Sequence, residues 1–174
     1  MSAQGTKATA TLRSSKGFLP AARSGDVKKM RELLAYGANI ERRNKDGETP
    51  LMLATGFPTT DCLSLLLEHR ADIHAKSKSG DTAIARACYH GQLENVRMLL
   101  DHGADVDVKD NSGTTPLMNA SMSRKVSCVA LLLERGAAPM STCDKGRTAA
   151  DYTNNEEIKR MLHEASLKND YILK

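Results

Sequence analysis

The residues best suited to nucleophilic or metal chemistry are four cysteines and five histidines, and their spacing supports neither. The cysteines are Cys62, Cys88, Cys128 and Cys143, far apart and without a C-x-x-C pair. The nearest approach to a thiol–imidazole pair is Cys88-Tyr89-His90, and residues two apart on a helix do not face each other. A zinc site needs about four converging ligands, and no phosphate-binding loop, serine elbow or zinc-protease motif is present. We therefore expect no catalytic residue, no metal and no cofactor.

The net charge and the composition argue against two further classes of partner, nucleic acids and membranes. The net charge is +4, and 25 basic residues are interspersed with 21 acidic ones. A surface that follows a phosphate backbone needs clustered Lys and Arg, and a membrane-spanning helix needs about 18 consecutive apolar residues. We therefore expect neither a nucleic-acid nor a membrane partner. Dispersed, reduced cysteines predict a cytoplasmic protein, with the nucleus as the other compartment.

The N-terminus is predicted to be a disordered tail, residues 1–13. The first 25 residues contain no acidic residue and are rich in Ser, Thr and Ala, as in a transit peptide. Against import, residues 21–25 fit the repeat described next and would be lost on cleavage. A targeting role for the tail stays open.

The sequence repeats with a period of 33 residues. The repeated unit determines which helices and turns would position any functional side chain. One glycine column consists of Gly47, Gly80, Gly113 and Gly146. A threonine column (Thr49, Thr82, Thr115, Thr148), a leucine column (Leu34, Leu67, Leu100, Leu133) and an alanine column (Ala38, Ala71, Ala104, Ala137) keep the same step. Four columns with one spacing indicate an array of repeated structural units.

Each unit can be interpreted physically. Gly47 supplies the positive φ of a tight turn, Thr49 is a helix N-cap, and Pro50 suits the first helical position, where no N–H donor is needed. A short helix follows through Ala54, and a second helix carries leucines at helical spacing. Gly37, Gly103 and Gly136 then end the second helices in a left-handed conformation. Arg70 occupies the same position in one unit, which should cost about 1 kcal/mol.

These segments resemble the ankyrin repeat. DGETPLMLA at 46–54 and SGTTPLMNA at 112–120 are similar to the family motif D-x-x-G-x-T-P-L-H-x-A, and LLDHGADVD at 99–107 is similar to its ending L-L-x-x-G-A-D-V-N. The resemblance implies an all-α solenoid of stacked helix–turn–helix units with protruding β-turn or hairpin tips. It covers residues 14–164, with repeats at 14–43, 44–76, 77–109, 110–142 and 143–164, of which the first and last act as caps. Residues 165–174 are then a C-terminal tail.

The chain departs from the family pattern at several positions. The histidine after T-P-L is replaced by Met52, Ala85 and Met118, and Ala83 replaces the proline. Pro58 and Arg124 stand where the family has glycine between the two helices. None of these changes breaks the period. The last repeat is four residues short between Thr148 and Met161-Leu162, and its second helix is expected to begin with an asparagine cap near Asn155.

In this family a concave groove, formed by the turn tips and the first helices, holds the partner, and the resemblance carries that role to matching positions here. Phe57, Tyr89 and Met122 are predicted to form an apolar strip with basic residues around it, as in a protein-binding core with a polar rim. The alternative is that tip lysines are merely solvated and that Phe57 packs against Pro58. The predicted partner-binding residues are Arg43, Lys45, Glu48, Phe57, Lys78, Asp81, Tyr89, His90, Asn111, Thr114, Met122 and Arg147.

The sequence therefore predicts a monomeric protein-interaction module, an adaptor, scaffold or inhibitor whose partner is a protein of acidic character. One alternative is a regulator or pathogen effector whose tails carry the function. An enzyme using Cys88 and His90, or a nucleic-acid binder using Lys45, Lys78 and Lys109, would be the remaining alternatives.

Overall fold

The computed structural model describes the backbone of residues 17–172 and the side chains of residues 17–168; the predicted tail at 1–13 lies outside the described residues. Five helix pairs follow one another along the described chain. The first helices of the pairs are α1 (17–24), α3 (Pro50–Ala54), α5 (Ala83–His90), α7 (Pro116–Met122) and a 3-10 helix (Ala149–Tyr152). The second helices are α2 (Val27–Ala35), α4 (Asp61–Glu68), α6 (Leu93–Asp101), α8 (Val126–Glu134) and α9 (Glu156–Ile172).

The predicted all-α solenoid is confirmed, because helices of successive pairs pack against one another along the chain. Helix α5 contacts α3 on one side and α7 on the other, and α8 contacts both α6 and α9. The core repeats with the sequence: Leu66, Leu99 and Leu132 are each fully buried, one period apart. Burying a leucine completely stabilises the fold by about 1.5–3 kcal/mol. Each pair thus needs its neighbours to cover its apolar faces.

The tips between pairs are tight turns, and residues 17–172 contain no strand. At the first tip, the Gly47 N–H donates to the Asn44 carbonyl over 3.1 Å, and the Asn44 N–H donates to the Glu48 carbonyl over 3.1 Å. The same pair of hydrogen bonds recurs one period later at residues 77–81 and again at 110–114. The predicted β-turns are therefore present with their closing hydrogen bonds, but these residues do not form hairpins with strands.

Threonine caps begin two of the first helices as predicted. The Thr49 hydroxyl accepts from the Met52 N–H over 3.4 Å, and the Thr115 hydroxyl accepts from the Met118 N–H over 3.3 Å. Pro50 and Pro116 follow at the first helical turn. Thr82 has the same extended backbone, but its hydroxyl is buried without a partner among the described residues.

Left-handed residues end the second helices, and Arg70 adopts the predicted strained conformation. Gly37, Gly103 and Gly136 have φ of 80°, 89° and 87°, and Arg70 has a φ of 62° at the equivalent position. Arg124 follows α7 at the position that Gly91 occupies after α5, and it has a φ of 54°. A side chain in this region costs about 1 kcal/mol relative to glycine.

The last pair differs in length from the others. A single 3-10 turn replaces its first helix, consistent with the four missing residues, and Asn155 caps α9 by accepting from the Ile158 N–H over 3.0 Å. Helix α9 buries Ile158 and Leu162 against the stack. It then continues to Ile172, past the predicted repeat end at Glu164, so residues 165–172 extend the final helix.

Candidate functional site

A ladder of backbone hydrogen bonds joins the turn tips. The Lys78 N–H donates to the Asp46 carbonyl, the Asn111 N–H to the Ser79 carbonyl, and the Asp144 N–H to the Ser112 carbonyl, each over 3.0 Å. Each bond connects one tip to the next, so the tips form a continuous edge along the stack.

Glycine is required where one tip meets the next. A Cβ on Gly80 would lie 2.6 Å from the Asn111 nitrogen, and one on Gly113 would lie 3.0 Å from the Asp144 nitrogen. Both glycines also have positive φ. The glycine column of the sequence therefore reflects both the turn conformation and the close approach of the next backbone.

A second ladder is built from basic side chains. The Lys76 Nζ donates to the Lys109 carbonyl over 2.8 Å, and the Lys109 Nζ donates to the Thr142 carbonyl over 2.9 Å. One period earlier, the Arg43 guanidinium donates to the Lys76 carbonyl and also to the Gly47 carbonyl. Arg43, predicted as a partner contact, thus has a structural role in fastening consecutive tips.

Glu48 was predicted as a partner-binding tip residue, and the structure places its side chain largely within the stack. Its side chain is 12% exposed and pairs with Arg86 of α5. It also accepts from the Asn44 amide over 2.6 Å and from Arg23 of α1 over 3.4 Å. Glu48 therefore links three consecutive helix pairs, because the first helices on both sides bring their arginines to it.

Thr114, also a predicted partner-binding residue, lies two periods after Glu48 in the same column. It is buried, and its N–H donates to the Asp110 side chain over 2.8 Å within the turn. Within this column the stack thus covers Thr114 and most of Glu48, whereas Arg147 is exposed.

Three of the predicted residues meet in one cleft of about 410 Å³ between α5 and α7, called the central cleft below. Its lining residues are Asp81, Ala85, Arg86, Tyr89, His90 and Asn119. Tyr89 is 51% exposed, and its ring meets the His90 ring edge-on, with centroids 5.5 Å apart and planes at 84°. The cleft thus offers an aromatic wall beside charged and amide groups.

The pKa of His90 is lowered from its ordinary value. Although His90 is exposed, desolvation by its neighbours is the largest cause, followed by the positive charges of Arg86 and Lys125. The positive charges of Arg86 and Lys125 therefore both act on this end of the cleft.

Met122 continues the apolar surface beyond the central cleft. It is 42% exposed and stands one period after Tyr89. Phe57 differs from the prediction, because the 33-residue step aligns it with His90 rather than with Tyr89. It is half-buried, lies close to Gly25, and its carbonyl accepts from the buried Asn95 amide over 2.7 Å. Of the predicted strip, Tyr89 and Met122 are therefore exposed and Phe57 is half-buried.

The other predicted residues belong to the tips, as does Asp81 of the central cleft. Lys45, Lys78, Asn111 and Arg147 are exposed, and the Asn111 amide donates to the Lys78 carbonyl over 2.9 Å. Asp81 is half-buried and accepts from the Ser79 hydroxyl over 2.7 Å.

Arg86 and Asn119 of the central cleft were missed. They occupy one sequence column with Pro20 and Leu53, and the change to polar residues in the third and fourth repeats was the available signal.

The thiols of Cys88 and Cys143 have different surroundings, which shift their pKa values in opposite directions. Cys88 is fully buried and burial raises its pKa well above the usual value, whereas His90 is exposed. Cys143 differs, since its Sγ lies 3.2 Å from the Tyr152 hydroxyl and this hydrogen bond lowers its pKa.

Within the described ranges, no three His, Cys, Asp or Glu side chains are grouped to hold a metal ion. No described helix is long and apolar enough to cross a membrane.

Comparison with known families identifies the repeat. A family model described as ankyrin repeats (3 copies) matches residues 18–110, and a second, described as ankyrin repeats (many copies), matches residues 99–152. A search of curated proteins finds no match. The two matches run from α1 to the final 3-10 turn, over the same helix pairs and tips that the structure shows. The chain therefore belongs to the ankyrin-repeat family.

Proposed function

We propose that this chain binds a partner protein along the groove between its tips and first helices, with the central cleft and Met122 at the centre of the contact. Ankyrin repeats are protein-interaction modules. The observation that carries the proposal is Tyr89, a half-exposed aromatic residue at the wall of a cleft, in a chain with six Phe and Tyr residues in total.

The composition of this surface supports a protein partner. Tyrosine and arginine are the residue types that most often dominate binding energy at protein interfaces. Here Tyr89 and Arg86 line the same cleft, and Met122, one helical turn after the lining residue Asn119 on α7, adds exposed apolar area. Charged tip residues such as Lys78 and Lys45 would form the polar rim.

The first helix pair supports a monomer. On α2, Lys29 and Glu32 form an ion pair over 3.0 Å. The equivalent positions in the second pair are the buried Cys62 and Leu65. At these positions α2 therefore carries charged residues, whereas the second helices of the other pairs bury apolar or amide side chains against a neighbour. This face of α2 is suited to solvent rather than to stacking on a second copy.

We place the protein in a reducing compartment, the cytoplasm or nucleus. Its role there would be that of an adaptor, scaffold or inhibitor. All four cysteines are free thiols, and all are buried in the stack.

The test is affinity capture from native lysate with the immobilised chain. The variant combines Tyr89→Ala with Met122→Ala, and Tyr36→Ala is the matched control because Tyr36 is 62% exposed at the end of α2, outside the central cleft. We expect the double variant to lose at least about tenfold of the captured partner, and the control to retain it. A partner held equally by all three proteins would refute the groove assignment.

A further inference from the structure

Two cations from different repeats stand near His90. Arg86 lies one helical turn before it on α5, and Lys125 follows α7. Both charges act on the imidazole and contribute to lowering its pKa. The groove therefore has a positively charged spot at the end of the central cleft.

Arg86 is only partly neutralised within the chain. Its Nη1 pairs with Glu48, but that single carboxylate also accepts from Arg23. The Arg86 Nε is buried and has no hydrogen-bond partner among the described residues. One carboxylate is thus shared between two guanidinium groups, which leaves hydrogen-bonding capacity on Arg86 unused.

Lys125 is held in place without a counter-ion. Its aliphatic stem lies across Gly91, since a Cβ on that glycine would come within 2.4 Å of the lysine Cδ. The Lys125 Nζ makes no hydrogen bond or ion pair with residues 17–168. A packed stem with an unpaired ammonium group is a preorganised donor, and preorganisation reduces the entropy lost on binding.

Asp81 is the one carboxylate among the residues that line the cleft, and it already accepts from the Ser79 hydroxyl over 2.7 Å. Counting Glu48, the ion-pair partner of Arg86, two carboxylates and two cations lie in this region, and the charge left without a partner among the described residues is that of Lys125, which is complementary to an anion. The volume of the cleft, about 410 Å³, lies in the range of small-ligand pockets, so an Asp or Glu side chain can enter it.

We infer that the His90 end of the central cleft binds the carboxylate of an Asp or Glu side chain from a peptide segment of the partner, with Arg86 in the lining and Lys125 beside Gly91 as the cations, while an apolar neighbour of that residue packs on Tyr89 and Met122. This inference rests on the proposed function and specifies its partner chemistry. Charge-assisted hydrogen bonds to a carboxylate are stronger than neutral ones, so this contact would set the partner's sequence preference.

The test uses a phage library of random 12-residue peptides, selected on the full chain. The enriched peptides should carry an Asp or Glu next to an apolar residue. Their affinity should fall about tenfold with Lys125→Gln, and similarly with Arg86→Gln. Lys125→Gln breaks no described ion pair, so it keeps the test valid if Arg86→Gln disturbs the fold. Lys28→Gln, which removes an exposed charge on α2, is the control and should change affinity less than about twofold.

A double-mutant cycle tests whether the acidic residue of the peptide contacts Lys125 itself. Replacing the peptide's acidic residue by its amide should weaken binding to the wild type about tenfold, and should add little when Lys125→Gln is already present. Independent, additive losses would overturn the inference, as would a selection that yields no acidic peptide.

Two further outcomes separate this inference from the proposed function. Peptides whose binding falls with Tyr89→Ala but not with Lys125→Gln or Arg86→Gln would leave the groove function standing and overturn the carboxylate contact. Peptides unaffected by Tyr89→Ala would refute the groove itself. A single-stranded oligonucleotide that displaces the peptide and depends on Lys125 in the same way would also overturn the assignment to a protein carboxylate.

Discussion

Gly113→Ala tests whether the tips are joined as the structure shows, with Gly146→Ala as its matched control. Both glycines occupy the same position of the repeat and have similar backbone conformations, with φ of 75° and 70°. They differ in what lies beside them. A Cβ on Gly113 would meet the Asp144 nitrogen at 3.0 Å and the Cys143 Cα at 3.1 Å, whereas one on Gly146 would meet nothing within 4 Å.

The expected magnitudes follow from this difference. Placing alanine at positive φ should cost about 1 kcal/mol at both positions. At Gly113 the new methyl group must also push the next tip away, which strains packing by about 1 kcal/mol or more and weakens the hydrogen bond from Asp144 to Ser112, worth about 1 kcal/mol. Gly113→Ala should therefore lower the free energy of unfolding by about 3 kcal/mol, and Gly146→Ala by about 1 kcal/mol.

Urea denaturation followed by circular dichroism measures both values. The denaturant dependence should be the same for the two variants, so that the midpoints report stability directly. Losses that agree within about 0.5 kcal/mol would refute the reasoning, because the steric contact with the next tip would then contribute nothing.

Three further predictions concern single side chains. Arg70→Gly should raise the free energy of unfolding by about 1 kcal/mol, because it removes the strain of positive φ; a lower urea midpoint would contradict this. Lys76→Met should lower the free energy of unfolding by about 1 kcal/mol through loss of the hydrogen bond to the next tip, and Lys45→Met, at an exposed lysine outside that ladder, should be neutral; equal midpoints would count against the basic ladder. Tyr152→Phe should raise the pKa of Cys143, since the hydroxyl no longer donates to the thiolate, and mass spectrometry should show slower alkylation of this cysteine at pH 7; an unchanged rate would exclude the hydrogen bond.

Local chemistry explains why much of the fold was predictable from the sequence. The 33-residue period placed the helix pairs, because each column has one structural task. Thr49 caps a helix through a neighbour three residues away, and Arg70 is strained by its own backbone. Neither depends on a distant residue, so the sequence pattern was sufficient.

The features that were missed depend on neighbouring repeats. The burial of Glu48 follows from Arg23 and Arg86, which lie 25 and 38 residues away in the chain. The role of Lys76 follows from a backbone carbonyl 33 residues further on, and carbonyls carry no sequence signal. The position of Phe57 was different, since counting one period places it with His90 rather than Tyr89.

The most direct test of the central claim is site-specific photo-crosslinking in native lysate. The variants are Tyr89→benzoylphenylalanine and, as the matched exposed control, Tyr36→benzoylphenylalanine. If the central cleft is the centre of the contact, position 89 should yield a discrete crosslinked protein that position 36 does not. A product formed at position 36 alone, or equally at both positions, would contradict the groove as the binding site.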